Sequence, residues 1–186
     1  MVSLELLDSL FACQTVQEWQ TVFTALTTEM GFPTYYFGLM KHRNASFDHA
    51  FINTNYSRAW RQRYADEQMH RIDPIVSHCS QNLVPLVWKS RTERSEQHAA
   101  FYEWADECGM RSGVSFPMHG LSGEFGIISF VDVVPERVMD FATLSALALI
   151  RDHAFESALK FLAEREHVPA LRVKLTRREL DCLQWV

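Results

Sequence analysis

The sequence predicts an α+β domain, an α-β-α sandwich in which helices flank a central, mainly antiparallel sheet. Three observations predict it. Two pairs of strand-like segments, 34–41 with 46–53 and 112–118 with 124–132, are each joined by a short polar turn, the signal of antiparallel pairing. One long helix with an apolar stripe is read over 138–163. Strands do not alternate regularly with helices, which argues against a parallel βαβ arrangement.

The elements follow in order. Residues 2–12 and 15–30 read as helices: Leu4, Leu7, Leu10 and Phe11 share one face, and Val16, Trp19, Phe23, Leu26 and Met30 share another. Gly31 and Pro33 end the second. Segments 34–41 and 46–53 are aromatic-rich strands around a turn at Arg43 and Asn44. Residues 57–68 are helical, and Asp73 followed by Pro74 opens another short helix. Residues 83–88 are extended, and 94–108 form a helix stopped at Gly109. Gly120 and Gly123 lie in the second hairpin's turn, and Gly126 inside its second strand marks a close backbone approach. In the long helix Phe141, Leu144, Ala148, Phe155, Ala158 and Leu162 recur at spacings of three and four.

Bulk properties bound the function. The 186 residues give one substantial domain with a short appendage, and the net charge of −5 makes the bulk of the chain a poor match for nucleic acid. No apolar run approaches the roughly 20 residues of a membrane helix. The four cysteines, Cys13, Cys79, Cys108 and Cys182, are scattered, and the eight histidines form no HExxH pattern. The chain therefore reads as a cytoplasmic protein with no metal, no cofactor and no membrane association. Residues 1–168 form the main domain and 169–175 a linker. Residues 176–186 open like a new helix, with Thr176 and Glu179 as a capping box beside basic Arg172, Lys174, Arg177 and Arg178.

The informative stretch is 55–79, NYSRAWRQRYADEQMHRIDPIVSHC. Tyr56, Trp60 and Tyr64 share one helical face, and Asp73 stands at the next helix start. Such a stripe is ordinarily core, and an Asp before Pro is ordinarily an N-cap. With VPLVW at 84–88, GFPTYYFGL at 31–39, GVSFPMHGLSGEFGIISF at 113–130 and LTRRELDCLQW at 175–185, this stretch resembles the ligand-binding domain of the LuxR family of quorum-sensing regulators. It is especially similar to the LasR-like subgroup, receptors of long-chain 3-oxo-acyl-homoserine lactones.

The resemblance implies a PAS/GAF-like autoinducer-binding domain, and a ligand that is an N-acyl-homoserine lactone of medium-to-long chain. It also implies a homodimer, promoter DNA as partner of the full-length protein alone, and no catalysis. Residues 176–186 would be the truncated start of a helix-turn-helix domain. By the same resemblance Trp60 donates to the lactone carbonyl, Asp73 accepts the amide N–H, and Tyr56 and Ser129 contact the acyl carbonyl. Gly38, Met40, Phe47, Ala50, Ile52, Tyr64, Ile75, Val76, Trp88, Phe101, Met110, Phe125 and Ile127 line the pocket, with Trp88 walling its lactone end.

The donors and acceptors agree with that assignment, because an indole only donates and a carboxylate only accepts. Ile75 departs from the LasR-like subgroup, which carries a supporting threonine there, and Phe125 and Ile127 imply a narrower or differently bent tail channel. Two rival readings remain: a PAS- or GAF-like sensor of another small molecule, and a Cys/His hydrolase. The second is weak, since His78 and Cys79 are helix neighbours that point about 100° apart.

Overall fold

The structure, a computed structural model, describes residues 3–43, 45, 49–89, 96–132 and 139–164. Its helices are α1 (Leu4–Ala12), α2 (Val16–Glu29), α3 (Arg58–Asp66), α4 (Pro74–Gln81), α5 (Glu96–Glu107) and α6 (Phe141–Glu164). Its strands are β1 (Thr34–Met40), β2 (Phe51–Thr54), β3 (Leu86–Lys89), β4 (Ser112–His119) and β5 (Phe125–Asp132). They form one antiparallel sheet in the order β2-β1-β5-β4-β3. This is the α+β fold expected.

Local chemistry sets the boundaries. Ser3 caps α1, and Thr15 with Glu18 forms a reciprocal capping box on α2. Ser57 accepts from the Trp60 amide at 3.1 Å and starts α3. That helix stops short of residue 68 because Gln68 takes a left-handed φ of 50°, after which Met69–Arg71 makes one 3-10 turn. The long helix begins at Phe141, not 138, because the Asp140 carboxylate accepts the Thr143 amide at 2.8 Å.

The second strand is also shifted. The expected span was 46–53, whereas β2 runs Phe51–Thr54, and residues 46–48 lie outside the described ones. Pairing with β1 sets this register, with Leu39 opposite Phe51 and Gly38 opposite Ile52. It sends Phe51 and Asn53 into the core, where the Tyr35 hydroxyl donates to Asn53 Oδ1 at 2.8 Å. The proposed linker and the opening of a further helix, 169–186, lie outside the described residues.

The two faces of the sheet differ. One face is sealed by α1, α2 and α6. Tyr35, Phe37, Leu39, Phe51, Val114, Phe116, Ile128 and Phe130 pack there against Trp19, Phe23, Leu147, Ile150 and Phe161. The indole N–H of Trp19 donates to Ser157 Oγ at 2.8 Å, and Lys160 Nζ donates to the carbonyls of Phe11 and Cys13, fastening α6 to the end of α1. The apolar stripe of α6 is thus largely spent on this core: Ala158 and Leu162 are buried, and Leu144, Ala148 and Phe155 pack partly against it, while Phe141 is 86% exposed.

Strand alternation sends the intervening side chains to the other face. These are Tyr36, Gly38 and Met40 of β1, Ser115 of β4, Trp88 of β3, and Phe125, Ile127, Ser129 and Val131 of β5. The segment from Tyr56 through α4, together with α5, packs over them.

Candidate ligand-binding site

The second face carries two apolar clusters that meet at Ile75. One gathers Trp60, Met69, Trp88, Phe101, Tyr102, Trp104, Ala105, Met110 and Val131, with Tyr56 and Tyr64 beside them. The other gathers Met40, Ala50, Cys79, Phe125 and Ile127, with Tyr36 and Val76 beside them. Ile75 packs against both. The first is aromatic and surrounds polar groups, and the second is mainly aliphatic.

Asp73 stands between them. Its Oδ1 accepts the Ile75 amide at 2.7 Å, so it caps α4, with Pro74 at the first helical position. Its Oδ2 accepts the Tyr64 hydroxyl at 2.8 Å. This carboxylate therefore caps α4 with one oxygen and holds the Tyr64 hydroxyl with the other. Only 7% of Asp73 is exposed. Burial pushes its acid up to about 6, against bonds from Tyr64 and from the Ile75 and Val76 amides that hold it down.

The phenols around it are equally desolvated. Burial first, and then the Asp73 charge, raise Tyr56 and Tyr64 far above the ordinary tyrosine range and push Tyr36 up to about 12. Yet Tyr36, Tyr56 and Tyr64 each keep an intermediate exposure.

Trp60 is held rigidly. Its ring lies on Trp104 with centroids 3.6 Å apart and planes 5° from parallel, and Tyr56 and Phe101 meet it edge-on at 6.2 and 6.0 Å. Arg63 covers Trp104 at 4.8 Å from its ring centroid, and its guanidinium pairs with Glu67 at 2.8 Å. On the sheet floor a polar chain crosses three strands. Trp88 Nε1 donates to Ser115 Oγ at 3.0 Å, and Ser115 and Ser129 hydroxyls lie 2.7 Å apart. Gly113 permits this, since a Cβ there would sit 2.5 Å from the Trp88 ring.

Among the described residues, no hydrogen bond engages the hydroxyls of Tyr36 and Tyr56 or the indole N–H of Trp60. These three donors belong to residues packed around a carboxylate acceptor, whose charge reaches Tyr36 and Tyr56. A ligand rich in carbonyl oxygens and carrying an N–H would satisfy all four groups.

Most residues singled out from the sequence come together. Tyr56, Trp60, Tyr64, Asp73, Ile75, Trp88, Phe101 and Met110 fall at the polar end; Met40, Ala50, Val76, Phe125 and Ile127 fall at the aliphatic end; Gly38 and Ser129 lie on the floor between them. Ile52 shares the floor's face of the sheet but sits on the edge strand and is 41% exposed, which sets it apart from the enclosed set. Phe47 lies outside the described residues.

Sequence reasoning missed Tyr36, Ser115 and Trp104. Period-two alternation from Gly38 and Gly113 would have found the first two. Trp104 had a weaker signal, one helical turn after Phe101.

Among the described residues no helix is long and apolar enough to cross a membrane, and no group of three or more His, Cys, Asp or Glu side chains is placed to hold a metal ion. Cys13, Cys79 and Cys108 are free thiols. Burial pushes Cys79 up to about 12, so it is a thiol and not a nucleophilic thiolate at neutral pH.

A family model described as autoinducer binding domain matches residues 15–158. The chain is 30% identical over 173 residues to the transcriptional activator protein VanR of Vibrio anguillarum, covering 89% of this chain and 69% of that protein. It is 30% identical to AhyR of Aeromonas hydrophila, covering 86% of this chain and 63% of that protein. Among solved structures, the N-acylhomoserine lactone dependent LuxR family transcription factor CepR2 of Burkholderia cenocepacia superimposes with a TM-score of 0.67 at 25% identity, covering 87% of this chain and 93% of that one. SdiA of Escherichia coli shares the fold, with a TM-score of 0.73 at 18% identity, covering 97% and 75%.

Proposed function

Because the chain belongs to the autoinducer-binding domain family of LuxR-type quorum-sensing transcriptional activators, we propose that its second sheet face encloses an N-acyl-homoserine lactone of medium-to-long acyl chain. The observation that supports this most is the unsatisfied donor set beside Asp73. Trp60 Nε1–H donates to the lactone carbonyl, Asp73 accepts the amide N–H, and Tyr56 with Ser129 donates to the acyl carbonyl.

The acyl tail offers no hydrogen-bonding handle. It runs over Ile75 into the aliphatic cluster and is held by apolar burial, at about 0.8 kcal/mol per CH₂. Ile75 supplies no hydroxyl to the amide, but Tyr64 already occupies the Asp73 oxygen that such a hydroxyl could assist.

Binding is the whole of the chemistry. Among the described residues the buried Cys79 is held as a thiol, and the relatives are transcriptional activators. Some of these relatives extend beyond it, the chain spanning 63–69% of their length. Transcriptional control through promoter DNA is thus proposed for the full-length protein. Two liganded copies would pair through the part of α6 that the core leaves uncovered, including Phe141 and Leu149, which are 86% and 39% exposed.

Purification from cells fed a mixture of lactones, followed by mass spectrometry, tests the ligand class. A retained lactone with an acyl chain of about eight carbons or more, on a particle of two chains by sedimentation, is the expected result. Retention of a four-carbon lactone in preference to longer ones contradicts the tail assignment, and retention of none contradicts the reading.

A further inference from the structure

The polar set holds one donor more than the lactone ring and its amide require. Tyr36 supplies it. Its side chain starts opposite Ser129, its pairing partner on β5, and runs along β1 toward Gly38. A Cβ built on Gly38 would lie 2.4 Å from the Tyr36 hydroxyl oxygen and 2.8 Å from two of its ring carbons. The phenol therefore lies flat on the strand, seated where residue 38 has no side chain. From Ser129 its hydroxyl is displaced toward Ile127, the partner of Gly38, by two residues of strand, roughly 6–7 Å.

That displacement has a direction. Tyr36 touches Tyr56, with ring centroids 6.1 Å apart, yet packs with the aliphatic cluster of Met40, Ala50, Phe125 and Ile127. Tyr36 thus stands between the aromatic cluster around Asp73 and the aliphatic cluster. An unsubstituted acyl chain passing this point leaves the hydroxyl unpaired in a desolvated place, at a cost in binding. A chain carrying an oxygen a short way past its acyl carbonyl gives it an acceptor.

Resting on the lactone reading above, we propose that Tyr36, seated on Gly38, is the residue that reads an oxygen on the third carbon of the acyl chain. It makes this chain selective for 3-oxygenated over unsubstituted lactones. Gly38 acts as a positioning residue, because any side chain there would push the phenol off its seat.

Three lactones of one chain length, 3-oxo, 3-hydroxy and unsubstituted, are titrated into the full chain and into Tyr36→Phe and Gly38→Ala. The readout is the ratio of dissociation constants within each protein, so that a general loss of affinity cancels. The original chain is expected to bind the 3-oxygenated lactones about tenfold more tightly than the unsubstituted one. Tyr36→Phe, which keeps the ring and removes only the hydroxyl, is expected to bring that ratio close to one. Gly38→Ala, which keeps the hydroxyl and displaces it, is expected to do the same.

An original-chain ratio of one, or a ratio that survives in either variant, overturns the assignment of Tyr36 and leaves the lactone reading standing. Failure of the original chain to bind any lactone overturns that reading, and the assignment with it.

Discussion

A lactone present at a thousandfold excess over its dissociation constant is expected to raise the melting temperature of this chain by about 10 °C. A ligand that binds only the folded state adds RT ln(1 + [L]/Kd), about 4 kcal/mol at that excess. For a domain of this size each kcal/mol moves the midpoint by about 2–4 °C. The source of the gain is visible in the unequal packing of the two faces. Beneath α1, α2 and α6 the core is closed, with Trp19, Phe23, Phe37 and Phe51 wholly buried. On the other face three tyrosines keep open surface, and three donors have no partner among the described residues.

Without ligand, the segment over that face packs around polar groups that a lactone would engage. Soluble yield on expression is expected to rise with lactone for the same reason. Differential scanning fluorimetry with and without ligand measures the shift. Equal melting temperatures at saturating lactone would mean that the site is not coupled to folding.

Replacing Asp73 by Asn is expected to weaken lactone binding by about 30- to 100-fold. A hydrogen bond to a charged partner contributes about 1.5–3 kcal/mol, and the amide N–H of the ligand loses that acceptor. The variant should nevertheless fold. The amide oxygen of Asn can still cap the Ile75 N–H, and its NH₂ can donate to the Tyr64 oxygen.

The sign of the pH dependence separates the two effects. The Asp73 acid is raised to about 6 in the folded protein, against 3.8 ordinarily. The folded state therefore holds a proton that the unfolded state has released, and ligand-free stability falls as pH rises from about 4 through 6. The full effect is on the order of 3 kcal/mol and is complete above about pH 7. Asp73→Asn removes this slope, so ligand-free stability at pH 7 should match or exceed that of the parent.

Ligand affinity runs the other way. The acceptor is the carboxylate, about a tenth ionised at pH 5, so the parent should bind about tenfold more weakly at pH 5 than at pH 7. In the Asn variant that dependence should vanish. Calorimetry at the two pH values checks both, and an Asn variant that binds as tightly as the parent would remove Asp73 from the site.

The fold was largely legible because its signals are local. Apolar periodicity marked α2 and the buried part of α6, and turn glycines marked the hairpin of β4 and β5. The first hairpin was harder to place. Its second strand is only Phe51–Thr54, and its register follows from pairing with β1, a contact the chain does not announce locally.

The site divides the same way. Tyr56, Trp60 and Tyr64 share a helical face that can be counted off, but their role came from resemblance, because spacing alone describes core equally well. Asp73 looked like an N-cap and is one. Only three-dimensional packing brings its second oxygen to Tyr64, nine residues away. Tyr36 was hidden for another reason. Its orientation depends on what residue 38 lacks, and a missing side chain leaves no signature until the strand is folded. Trp104 gains its meaning from stacking on a residue of a different helix.

A crystal structure of the chain bound to a long-chain lactone tests the central claim most directly. The predicted complex places the ligand's amide nitrogen within about 3 Å of an Asp73 carboxylate oxygen and its ring carbonyl at the Trp60 indole nitrogen, with the tail over Ile75 toward Phe125 and Ile127. A lactone whose ring lies in the aliphatic cluster, or whose amide makes no bond to Asp73, would contradict it.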